Sequence, residues 1–186
     1  MDILTLFRGR RALLDGHFVL SSGLHSPTYL QCALALQDPA DAAEFGEMIA
    51  GKFTGEAVDT VASPAIGGLV IGFATARALG ARFIWTERQD GAMTLRRGFS
   101  VNPGERILVV EDVITTGGST RECIGALEGA NVIGAASIVD RSNGLADVGV
   151  PLISLVSLDV PTYAVENCPL CASGVTLTKP GSRNSK

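Results

Sequence analysis

The stretch RILVVEDVITTGGSTRECI, residues 106–124, leaves a chain few ways to fold. Arg106–Val110 is a short β-branched and leucine-rich run, the pattern of a strand buried in a parallel sheet. Glu111 and Asp112 end that run, the apolar step Val113-Ile114 follows, and Thr115–Thr120 are all small, hydroxylated or glycine. Arg121–Leu127 then reads as a helix. A strand, a Gly/Thr/Ser turn and a helix N-terminus aim unpaired N–H groups and the helix dipole at one point, which makes a phosphate cradle. The turn holds no lysine, so it is not the ATP-binding loop pattern, and G-x-G-x-x-G is absent as well. Two carboxylates just before the cradle can accept hydrogen bonds from vicinal hydroxyls while the loop holds a phosphate. That is the shape of a ribose 5-phosphate. A capped turn with no ligand is the plainer alternative, and the acid pair at this spacing argues against it.

The segment VVEDVITTGGST resembles the phosphoribosyl-pyrophosphate (PRPP) signature of the type I phosphoribosyltransferases. The rest of the chain narrows the resemblance to the orotate phosphoribosyltransferases. It implies transfer of phosphoribose from PRPP to orotate, giving orotidine 5′-monophosphate and pyrophosphate in de novo pyrimidine (UMP) biosynthesis. Glu111 and Asp112 would hold the ribose hydroxyls. PRPP would lie along Val113, Ile114, Thr115, Thr116, Gly117, Gly118 and Ser119, with its 5-phosphate bound by the backbone N–H and hydroxyl groups of Thr115–Thr120. Ala65, Ile66 and Gly67 match the pyrophosphate loop, where the family carries a cis peptide; the matching bond is Ala65–Ile66. Arg88 matches a basic loop that closes over PRPP and reaches the neighbouring subunit, so a homodimer with shared active sites is implied. Catalysis would rest on Asp112, Glu111 and Arg88. Thr115 and Arg141 would orient orotate, the planar fork of Arg141 suiting its carboxylate. Tyr29 and Leu30 would cover the base, as an aromatic face can on a flat pyrimidine. The implied cofactor is Mg²⁺, held mainly by PRPP and water and not by side chains.

Read in order, the chain alternates helices and strands, which predicts an α/β fold with a mainly parallel central sheet flanked by helices. Apolar positions over residues 2–14 predict a helix ended near Gly16. His17–Leu20 and Thr28–Leu34 read as strands around a turn, Ser21–Pro27. Ser22, Gly23, Ser26, Pro27, Tyr29 and Leu30 match the family's N-terminal hood, while Ser21 stands where many relatives have lysine. His25 either replaces part of that charge or, as for most lone turn histidines, is an exposed and incidental turn residue. Asp38-Pro39 is a helix start, an N-cap acid followed by proline, and the helix should run to about Phe53. Strand Val58–Ala62, the turn Ser63–Gly68 and helix Leu69–Leu79 form a second strand–glycine turn–helix unit. Gly67 and Gln89 replace lysines of the family. Strand Arg82–Thr86 leads to a polar connection, Glu87–Gly98, read as a mobile loop in which Arg96 and Arg97 either supply charge or are merely exposed. Val132–Val139 and Pro151–Leu158 are the last strands, and Lys179–Lys186 reads as disordered. The expected organisation is a single domain with a hood over 1–36, a core over 37–166 and a tail over 167–186.

With net charge −4 and pI near 5.1 over 186 residues, the chain has no electrostatic footprint for nucleic acid or an anionic membrane. Phosphate must then be bound by local groups. The opening MDILTLFRGRR lacks the order of a signal peptide, which predicts a cytoplasmic location. Scattered cysteines in a reducing compartment predict no disulfides. Cys168 and Cys171 form half of a tetrahedral zinc site, which a symmetric dimer or Cys32 with another ligand could complete. Without a visible second pair they are expected to be free thiols in a tight turn. Two other readings remain open: a phosphoribosyltransferase for another base, and a non-catalytic PRPP-sensing regulator.

Overall fold

The computed structural model describes residues 2–20 and 22–180. Ser21 and residues 181–186, the end of the expected tail, lie outside the described residues. The chain divides into two compact units, one of residues 36–158 and one joining 1–35 to 159–186. The C-terminal segment from Asp159 thus groups with the N-terminal segment, where the sequence suggested a separate tail from 167.

In the N-terminal and C-terminal unit, Asp2 caps helix α1 (Ile3–Gly9) through Leu4 N–H, and Ile3 and Phe7 are buried. The expected helix to Gly16 is corrected here. The chain leaves the helix at Arg10, and Leu13-Leu14 open strand β1 (Leu13–Val19), opposite Leu30 and Tyr29 of β2 (His25–Leu30). An adjacent leucine pair fits either period, and cross-strand pairing decides it. β2 also starts earlier than expected, so the connecting turn is shorter, and residues 33–34 belong to a short helix, α2 (Ala33–Leu36). The C-terminal segment adds two isolated bridges, Phe18 with Thr178 and His25 with Tyr163.

In the second unit, Asp38 caps α3 (Pro39–Gly51) as the sequence predicts, its Oδ1 accepting from Ala40 N–H at 3.0 Å. There follow β3 (Thr60–Pro64), α4 (Gly68–Leu79), β4 (Arg82–Gln89), β5 (Ala92–Leu95), β6 (Arg106–Ile114), α5 (Gly118–Gly125), β7 (Asn131–Asp140) and β8 (Leu152–Ser157). These form a six-stranded sheet ordered β5-β4-β3-β6-β7-β8, parallel except for the β4–β5 pair. Ile107–Val110 are wholly buried. Their alternation explains why: Ile107 and Val109 join Ala62, Cys123 and Leu127 under α5, while α4 covers the other face. On that second face a Cβ on Gly72 would lie 2.0 Å from Ser63 Oγ, so only glycine lets α4 approach β3 this closely.

The mobile loop expected over 87–98 is instead a β-hairpin. Asp90 and Gly91 have φ of 51° and 87°, and Gln89 pairs with Ala92. This is the Asp-Gly two-residue turn, whose positive φ values match the twist of the flanking strands. Arg96 and Arg97 both pair with Glu87, so their charges are engaged within the hairpin.

Candidate active site

Both glycine turns leave the C-terminal ends of β3 and β6, neighbours at the centre of the sheet. From this pair the chain proceeds outward in opposite directions, to β4 on one side and to β7 on the other. Such a switch point opens a crevice at the strand ends, where α/β sheets take their ligands.

The acid pair does not end its strand, since β6 runs on to Ile114. With a period of two, Glu111 and Asp112 therefore point to opposite faces. Glu111 turns toward α5 and its Oε2 accepts from Thr120 Oγ1 at 2.7 Å. Asp112 turns toward the other loop, and a Cβ on Gly67 would lie 2.8 Å from Asp112 Oδ1. Gly67 thus lets the β3 loop lie directly on the carboxylate, with no room for a side chain to start in that direction. Ala65–Ile66 is a cis peptide, as the resemblance implies, and Ile66 is exposed.

Thr115–Gly117 form the turn and Gly118 starts α5. Gly117 has φ 73°, and a Cβ there would lie 2.7 Å from Val148 Cγ1, so glycine is required twice over. Arg121 fastens the turn by donating to Thr116 O at 2.9 Å and to Asp147 O. Glu111, residues 113–119 and Glu122 line a cavity of about 230 Å³. Of the residues implied for the 5-phosphate, Thr115–Ser119 are gathered around one space, while Thr120 is buried with its hydroxyl donated to Glu111.

Burial pushes the Glu111 carboxyl up to about 7, against the Thr120 hydrogen bond and with help from the Asp112 charge. Burial also raises Asp112, against its backbone hydrogen bonds. Two partly desolvated carboxylates on neighbouring residues leave the strand end short of positive charge. At the end of β7, Arg141 N–H donates to Ile114 O at 2.7 Å, which sets Arg141 beside the start of the Thr115–Gly117 turn, and its Nε is buried. Asp140 shapes the following loop. Its carboxylate accepts from Ser142 N–H, Ser142 Oγ and Gly144 N–H. Burial opposes the charge, and those hydrogen bonds outweigh it and hold the carboxyl below its usual range.

Arg88 pairs with Glu122 of its own chain and donates to Gly91 O at 2.6 Å. Sequence reasoning passed over Glu122, although it lies one helical turn beyond Ser119 and so on the same face of α5. Tyr29 and Leu30 are in the other unit, on β2, where the Tyr29 ring packs on Phe18 with centroids 5.8 Å apart.

The chain matches no family model. A curated relative from Chlorobium phaeobacteroides, an orotate phosphoribosyltransferase, is 52% identical over 183 residues, covering 97% of this chain and 95% of the relative. Among solved structures, orotate phosphoribosyltransferase from Aeropyrum pernix has a TM-score of 0.66 at 29% identity, covering 83% of this chain and 92% of that one. The Mycobacterium tuberculosis orotate phosphoribosyltransferase in complex with PRPP has a TM-score of 0.65 at 25% identity, covering 83% and 94%. Identity at that level over nearly the whole length, on a matching fold, places the chain in the orotate phosphoribosyltransferase family.

Proposed function

We propose that this chain transfers phosphoribose from PRPP to orotate, releasing pyrophosphate and forming orotidine 5′-monophosphate for pyrimidine (UMP) biosynthesis. The observation that carries the reading is the placement of Glu111 and Asp112 between two glycine turns on adjacent parallel strands. A ribose lying over the end of β6 would meet one carboxylate on each side. Its 5-phosphate would accept from backbone N–H groups of Thr115–Ser119, where the helix dipole assists. The Ala65–Gly67 loop would face the pyrophosphate. Arg141 would donate to the carboxylate of orotate, with Thr115 beside it and Tyr29 and Leu30 covering the base.

The residues present fit Mg²⁺. Held mainly by PRPP and water, the ion would lie beside the half-buried Glu111 and Asp112, whose raised carboxyls would each be more readily ionised near a cation. Mg²⁺ bound with PRPP would supply positive charge for the leaving pyrophosphate. The chain itself contributes positioning: the bond to pyrophosphate opens ahead of attack by the pyrimidine nitrogen, and the oxocarbenium-like sugar is held between two anchored ends. The enzyme is read as a cytoplasmic homodimer in which Arg88 serves the neighbouring centre, a role that requires its release from Glu122.

The test supplies protein, Mg²⁺ and PRPP with orotate, uracil, adenine, guanine and hypoxanthine in turn, following base absorbance. Orotate should be consumed, with pyrophosphate formed in equal amount. Turnover of another base and not orotate would reject the reading, as would binding of PRPP without turnover of any base.

A further inference from the structure

The unit built from the two ends of the chain contains a second constellation, remote in character from phosphoribosyl chemistry. His17 on β1, His25 on β2, and Cys168 and Cys171 bring one ligand atom each to a common point, all four within 4.8 Å of one another. Cys168 caps the start of the short helix α6 (Pro169–Ala172) and Cys171 lies within it, in a Cys-Pro-Leu-Cys knuckle. The sequence suggested the cysteine half of such a site but looked to Cys32 or a dimer for the rest. His25, read as an exposed turn residue, is in fact buried, as are His17 and Cys168. The missing pair was hidden because the histidines are far from the cysteines in sequence, 151 residues in the case of His17 and Cys168.

We infer that this chain binds one zinc ion through His17 Nε2, His25 Nδ1, Cys168 Sγ and Cys171 Sγ, as a structural site that fastens the C-terminal segment to the β1–β2 hairpin. Bonds of zinc to nitrogen and sulfur set tetrahedral ligand atoms about 3.3–3.8 Å apart. His17 Nε2 lies 3.5 Å from Cys168 Sγ and 3.7 Å from Cys171 Sγ, and His25 Nδ1 lies 3.3 Å from Cys171 Sγ. The two nitrogens are 2.9 Å apart, slightly closer than an ion would hold them. Hydrogen bonding alone does not account for the cluster. His17 Nδ1 is 2.8 Å from Val175 O, a carbonyl that only accepts, so Nδ1 donates to it and Nε2 of a neutral ring has a single lone pair. Three polar atoms converge on that one lone pair, whereas an ion at the centre satisfies all four groups. The Val175 carbonyl then plays the orienting part that backbone oxygens play behind metal-bound histidines.

Two sulfurs and two nitrogens in a closed tetrahedron suit zinc and leave no open position for catalysis. The gain is mechanical. This unit is small and is joined from distant ends by few backbone links, such as Thr178 N–H to His17 O at 2.8 Å and Tyr163 N–H to His25 O at 2.8 Å. Small units of this kind commonly need a metal or another cross-link to hold. The inference does not depend on the reaction proposed above.

The full chain, expressed with zinc in the medium and purified reduced without chelator, should contain about one zinc per chain by elemental analysis. Exchange into Co²⁺ should give the visible bands of a four-coordinate site with a thiolate charge-transfer band. The double variant Cys168→Ala/Cys171→Ala should lose the metal, while Cys32→Ala keeps it. Cys171→His, a ligand swap at the one exposed position, should retain a metal with the thiolate band roughly halved, and it serves if the double variant does not fold. A strong chelator should lower the melting temperature of wild type by about 5 °C or more. Zinc below about 0.2 per chain together with no cobalt spectrum would overturn the site. Stoichiometric zinc surviving in the double cysteine variant would overturn it equally.

Discussion

Glu111→Gln separates what an ionised carboxylate costs the fold from what it does for the reaction. Burial and the adjacent Asp112 charge raise the Glu111 carboxyl from 4.5 to about 7. A carboxyl whose pKa rises on folding binds its proton more tightly in the folded chain, so ionisation destabilises the fold. The penalty is absent below 4.5, grows as pH rises, and is complete above about 7. That gap corresponds to at most about 3 kcal/mol, and solvent around a half-buried group reduces it to about 1–2 kcal/mol. Glutamine keeps the shape and an acceptor for Thr120 Oγ1, 2.7 Å away in the wild type, but carries no charge. Ligand-free wild type should therefore lose about 5 °C of melting temperature relative to the variant between about pH 5 and about pH 8. The carboxyls pulled down to about 2, Asp59, Glu87 and Glu105, do not enter this comparison, because both proteins carry them. Activity moves the opposite way. Only the ionised form accepts strongly from a ribose hydroxyl, so kcat/KM for PRPP should rise through about pH 7, a limb the variant lacks. Parallel melting curves for the two proteins across this range would refute the desolvated carboxylate.

Gly117→Ala forces a Cβ into a left-handed turn and onto Val148, so it should cost about 1–3 kcal/mol and weaken PRPP binding; calorimetry and titration check this. Arg141→Ala should raise KM for orotate at least about tenfold while leaving KM for PRPP nearly unchanged, since only the carboxylate partner is lost. Arg88→Ala and Asp112→Asn should each be nearly inactive as homodimers. Mixed under subunit exchange they should recover roughly a quarter of wild-type activity, because half the dimers are hybrids with one intact centre. No recovery, with exchange verified by mass-tagged chains, would confine Arg88 to its own subunit, where it now pairs with Glu122.

Local rules were enough for the features that repeat along the chain. The buried run Ile107–Val110 and the Asp38-Pro39 helix start depend on neighbours in sequence, and each stands where sequence reasoning put it; the glycine turn is present as well, but α5 begins at Gly118, three residues before the expected Arg121, and ends at Gly125, short of Leu127. The Asp90-Gly91 hairpin is marked on the same local terms by its turn pair, although the charge and glycine content of residues 87–98 point to a loop. Other features belong to distant contacts. Leu13-Leu14 became strand because Leu30 and Tyr29 stand opposite them, not through any preference of their own. The opposed directions of Glu111 and Asp112 follow from β6 continuing past the acids, which β7 secures by pairing as far as Asp140. Gly67 gained its meaning only when folding laid it on Asp112, and Glu122 when α5 turned it toward Arg88. His17 and His25 look incidental in sequence, since nothing nearby marks them. Only the return of the C-terminal segment, some 150 residues on, sets two thiols beside them, and proximity of that kind is a property of the fold and not of any stretch of chain.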